Sequence, residues 1–235
     1  MDFAENSQQF QTKREAFVAS RIHYWETKID FAIDDFEKNN GIKIIVPSTE
    51  VKKKAAELLA HAELGIKLVF NRYHPTEAKE YDELKFSVTN IPSSIEHIFR
   101  YHHTPRIPWG SVITVQLQWL LDMAQYPERW YQEYKKTGKR IGAVNLDTPE
   151  DLFLFSAIEE ASHNLYLNHT TNYFENRKSP SGEFYYAEDW EFQALKVLYF
   201  FAKKYKPEYE LIYRNELLKM VQHRKQQSKA KQSSP

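Results

Sequence analysis

The chain has no cysteine among its 235 residues. Disulfide staples, thiolate zinc sites, iron–sulfur clusters and cysteine nucleophiles are therefore excluded. Any transition-metal site must draw on histidine and carboxylates. Glycine is scarce as well, with six residues, and neither GxGxxG nor GxxxxGK[ST] occurs, which argues against a phosphate-cradling loop and a nucleotide-driven function. No run approaches the roughly 20 apolar residues of a membrane span. The start, Met1-Asp2-Phe3-Ala4-Glu5-Asn6, lacks the basic residues and apolar run of a signal peptide. A cytoplasmic protein with no membrane partner is the expectation. Net charge is missing too, because 32 Lys+Arg balance 32 Asp+Glu. Coating of nucleic acid by bulk charge is thereby disfavoured, and only a local basic patch is left as a nucleic-acid contact.

What is present can build a core: 42% of residues are hydrophobic and 27% charged. The expected class is α+β, mostly helical with a small mixed sheet. Residues 1–40 read as an N-terminal amphipathic helix whose seam is Val18, Ile22, Trp25, Ile29, Ala32 and Phe36. The seam suits a helix lying on its own domain, or a partner-binding helix. Residues 41–222 read as one α+β domain. Its first half begins with a strand at 41–46, then a helix over 50–63 capped by Ser48 or Thr49 and closed by Gly65. Strands follow at 66–73 and 84–91, and a buried helix at 111–125. Pro127 can start another helix that ends at Gly138.

A strand at 141–146 leads into a well-signalled helix start. Thr148 is the N-cap, Pro149 occupies the first helical position, and Glu150 and Asp151 lie in the first turn. That helix is expected to reach about Leu167, and after a polar loop an aromatic-rich helix spans about 186–205. A last helix runs to about His223. Residues 223–235 (HRKQQSKAKQSSP) lack acids and apolar periodicity and read as a disordered basic tail.

Of the nine histidines, His163 has the richest setting. Glu159 and His163 are four residues apart on the capped helix, so they share one face, and Glu160 is three residues from His163. HExxH presents two zinc ligands with this spacing, beside a glutamate that takes a proton from water. Glu191, on the following helix, can supply a third ligand.

The texts IGAVNL, IEEASHNLYLNH and EFQALKVLYFFA, within residues 140–203, resemble the compact gluzincin metallopeptidases of the ImmA/IrrE type. The resemblance implies a zincin-like helix pair in the C-terminal half, with Glu160 as general base and Glu159, His163 and Glu191 as metal ligands. Glu159 stands where that family has its first histidine. The donor set is correspondingly harder and less zinc-selective, so the implied cofactor is zinc or another divalent metal. The implied activity is metal-dependent hydrolysis of a protein or peptide, with the polar groups of Tyr166, His169 or Tyr186 available to stabilise an oxyanion. The loss of the first histidine leaves open whether the chain is an enzyme. The competing reading is a non-catalytic interaction protein using the N-terminal helix and an aromatic surface, because 15 Tyr, 15 Phe and 5 Trp exceed what most cores need. Oligomeric state has no signature here.

Overall fold

A computed structural model of the chain describes residues 7–41, 48–73, 85–89, 99–102, 112–129, 132, 146–169 and 189–232. Helix α1 (Ser7–Asn40) forms as its periodicity requires. Val18, Trp25 and Ile29 are buried, and Ile22 and Ala32 pack against them. The seam therefore faces the chain's own core. Gly41 ends the helix with φ 64°, a left-handed conformation that favours glycine, and its N–H donates to the Glu37 carbonyl at 2.9 Å.

Helix α2 (Thr49–Tyr73) starts at Ser48, whose hydroxyl accepts from the Val51 N–H at 3.2 Å. It does not stop at Gly65, and residues 66–73 are helix, not strand. The reason is tertiary. A Cβ on Gly65 would lie 2.7 Å from the Leu154 carbonyl oxygen, so glycine here lets two helices approach closely in mid-helix. Leu58, Leu59, Ala62, Ile66 and Val69 continue one buried stripe across the glycine.

The extended segments are short: β1 (Lys85–Thr89), β2 (Phe99–His102) and β3 (Val112–Gln116). β3 pairs with β1 in parallel and with β2 in antiparallel fashion. Residues 112–116, expected as helix, are thus extended, and α3 (Leu117–Gln125) follows directly. The strands expected at 41–46 and 141–146 lie, apart from Gly41 and Leu146, outside the described residues.

Helix α4 (Pro149–His169) is the centre of the molecule. Thr148 caps it as expected, its hydroxyl accepting from the Asp151 N–H at 3.1 Å. Every residue from Asp151 to Ser162 is buried, because α2 covers one side of the helix and α5 (Asp189–Tyr205) another. Over this stretch no face is exposed, which is the mark of a core helix. After a 3-10 turn at Pro207–Tyr209, α6 (Glu210–Gln232) completes the described chain.

Two expectations are corrected. The α+β class does not hold, because the described residues are overwhelmingly α-helical. Helices of 34, 25, 21, 17 and 23 residues carry the core, and the strands, of four and five residues, make only a small three-stranded sheet in the order β1-β3-β2. Of the expected disordered tail, residues 223–232 have helical backbone, and 233–235 lie outside the described residues. Many of the aromatic residues turn inward as well. Phe155 stacks on Tyr213 at 5.2 Å between ring centroids and meets Phe201 and Tyr209 edge-on at 5.4 and 5.5 Å. Among the described residues no helix is long and apolar enough to cross a membrane.

Candidate functional site

Glu159 and Glu160 lie in the buried stretch of α4, at 6% and 8% exposure. Carboxylates this deep are tolerated only with compensating partners. Both engage other groups, as does half-buried Glu191 on α5. His163 lies one turn beyond Glu159 on the same helix, with its side chain outside the described residues. Tyr166 and His169 also belong to α4, and Tyr186 lies outside the described residues.

Two contacts set the register of α5 on α4. Lys206, just past the end of α5, meets Asp151 at 3.0 Å, and Phe201 meets Phe155 at 5.4 Å. The helices are therefore antiparallel, and stepping along them brings Glu191 roughly abreast of Leu165 and Tyr166. At 1.5 Å rise per residue, Glu191 is offset along the axis by about 3–5 Å from His163 and by about 10 Å from Glu159. Along the axis, Glu191 thus lies nearer to His163 than to Glu159 or Glu160. Among the described residues, no three His, Asp or Glu side chains are grouped so as to hold a metal ion.

A second polar cluster escaped the sequence reading altogether. Asp151 was legible only as a first-turn acid, yet it is 2% exposed and joins three distant segments. Its Oδ1 accepts from Arg14 of α1 at 2.8 Å. Its Oδ2 accepts from Tyr209 at 2.7 Å and from Lys206 at 3.0 Å. Burial raises the Asp151 pKa, but Arg14, the Tyr209 hydroxyl and Lys206 outweigh it, so the carboxyl is held below its ordinary value. Tyr209 in turn is pushed well above the usual phenol range by burial and by the adjacent Asp151.

His61 of α2 belongs to the same cluster. Its Nδ1 accepts from the Arg14 Nε at 3.1 Å, so neutral His61 carries its proton on Nε2. Burial and the Arg14 charge lower its pKa to about 3, against the opposing pull of Glu150 and Asp151. Glu150 is itself half-buried beside Lys54. Burial raises its pKa, and the hydrogen bond and charge of Lys54 more than reverse the effect, leaving it lowered. In the sequence His61 has Glu57 and Glu63 nearby, but nothing there points to Arg14, Glu150 or Asp151, which only the packing of α2 with α1 and α4 brings to it. Both carboxylate oxygens of Asp151 are engaged by cations or a phenol, so the cluster acts as a clamp and offers no free base.

Glu63 forms a smaller relay between α1 and α2. Its Oε2 accepts from Trp25 Nε1 and Arg21 Nε, each at 2.8 Å. No family model, curated protein or solved structure matches the chain.

Proposed function

We propose that the chain is a divalent-metal-dependent hydrolase of proteins or peptides, with its centre on the α4–α5 pair. The observation that carries this reading is the adjacent burial of Glu159 and Glu160, one turn before His163, within the buried stretch Asp151–Ser162 of α4. Both carboxylates already engage protein groups, and two adjacent buried carboxylates also offer oxygen donors of the kind a divalent cation takes. The antiparallel packing that carries Glu191 toward the turn of His163 supports the same reading, as does the resemblance of residues 140–203 to the gluzincin peptidases. The donor types fit: carboxylates and one imidazole form a hard to borderline set that suits zinc or manganese.

Glu159, His163 and Glu191 are the proposed ligands. When bound, the ion supplies Lewis-acid polarisation of a carbonyl and lowers the pKa of water. Glu160 would take the proton from the attacking water. The competing interaction role for α1 has lost its seam as a contact, since those residues are in the core, and retains Tyr24 and Phe31 on the outer face.

Thermal unfolding of the full chain with chelator, zinc or manganese tests the site, together with cleavage of unfolded casein by wild type and Glu160→Gln. Metal is expected to raise the melting temperature, and Glu191→Ala to abolish that rise. Glu160→Gln is expected to bind metal without cleaving. A melting temperature indifferent to both metals and chelator, in wild type and Glu191→Ala alike, sinks the proposal.

A further inference from the structure

From Leu217 to Pro235 the chain holds Lys219, Arg224, Lys225, Lys229 and Lys231, and no Asp or Glu. Because the whole chain is neutral, the remainder carries a matching excess of acid. Had this stretch been irregular, its charge would be diffuse. Instead its backbone is helical to Gln232, which arrays the cations along a fixed rod. Lys219 lies against Glu216 at 2.7 Å and is largely offset. Arg224 sits 4.5 Å over the Phe192 ring of α5, which fixes how the helix is presented. Beyond it, Lys225 and Lys229 are exposed and four residues apart, so they share a face. Cations in a last helical turn favour the helix dipole, but that effect is confined to the final turn and does not account for Arg224 and Lys225.

We infer that the C-terminal half of α6 is a docking surface for the phosphate backbone of a nucleic-acid duplex. Charge complementarity names a polyanion, and two compositional facts narrow it. After Val221 the helix has no large apolar side chain, so it lacks the buried face by which a basic helix settles into a lipid surface. After Tyr213 it has no Phe, Tyr or Trp, so it lacks the platforms that stack single-stranded bases. Lysine, arginine, glutamine and serine are what phosphate contacts use, and they position without reading sequence. The inference rests on α6 alone and is independent of the metal reading.

The test is fluorescence anisotropy of the full chain with a labelled mixed-sequence DNA duplex over a range of salt. Lys225→Glu/Lys229→Glu reverses the exposed pair, and Lys225→Arg/Lys229→Arg keeps the charge. Wild type is expected to bind with a slope of log K against log salt of roughly −2, from phosphate contacts by Lys225 and Lys229. The Glu variant is expected to lose at least about tenfold in affinity at low salt while keeping its melting temperature, and the Arg variant to bind as wild type. Absence of duplex binding at low salt, or equal binding by the Glu variant, overturns the inference. So does tighter association with phosphatidylserine vesicles than with duplex.

Discussion

The Asp151 carboxylate accepts a hydrogen bond from Arg14 at 2.8 Å across 137 residues of chain, with both side chains out of water. The same carboxylate holds Lys206 and Tyr209, so one residue ties the N-terminal helix, the start of the central helix and the turn before α6. Removing it strands two cations, one of them buried. Asp151→Ala is expected to cost about 3–5 kcal/mol, the usual loss when one partner of a buried pair is deleted. Urea unfolding measures it. The double change Arg14→Met/Asp151→Leu is expected to cost clearly less than the two single losses added, because it leaves no orphaned charge. Additive losses would refute the clamp.

Acid is expected to weaken the protein well above the carboxylate range. His61 binds its proton near pH 6.5 when unfolded but only near 3 when folded. Between those values the unfolded chain holds more protons, so stability falls as pH falls, by up to about 1.4 kcal/mol per pH unit before solvent screening. Asp151 and Glu150, with lowered folded pKa values, add further loss below their ordinary values of 3.8 and 4.5. Stability measured from pH 7 to 4 in wild type and His61→Gln checks this. The variant is expected to have a flatter curve between pH 6.5 and 4.5, and parallel curves would remove His61 from the account.

Gly65→Ala has an unusual expected sign. In a helix interior the change ordinarily stabilises by up to about 1 kcal/mol. Here the new Cβ meets the Leu154 carbonyl oxygen at 2.7 Å, and Ile158 Cγ1 and Leu154 Cδ1 at 3.2 Å. Backbone atoms cannot swing aside as a side chain can, so α2 and α4 must separate. A loss of about 1–3 kcal/mol is expected. A rise in melting temperature would mean that the two helices are not in such close contact.

Glu159→His restores the histidine of the HExxH pattern on a helix that already bears Glu160 and His163. Imidazole suits zinc better than a further carboxylate does. The variant is expected to gain more thermal stability from equimolar zinc than wild type gains. Equal zinc responses in the two proteins would show that position 159 does not face the ion.

Local signals located most helices. Thr148, Pro149 and the acids of the first turn mark the start of α4, Ser48 the start of α2, and Gly41 the end of α1, because capping is settled within a few residues of sequence. Glu159, Glu160 and His163 share a helix by spacing alone. Gly65 was misleading for the opposite reason. As a sequence symbol a glycine after a helical run reads as a stop, and only the close approach of Leu154 converts it into a packing site. The short, β-branched and aromatic text of residues 66–73 fits a strand as well as it fits a helix, and packing of Ile66, Leu68 and Val69 into the helical core decided between them. Tertiary structure alone brought Arg14, His61, Asp151, Lys206 and Tyr209 together. Ion pairing between residues far apart in the chain leaves no periodic trace, since each partner is ordinary in its own neighbourhood and becomes unusual only once water is excluded from both.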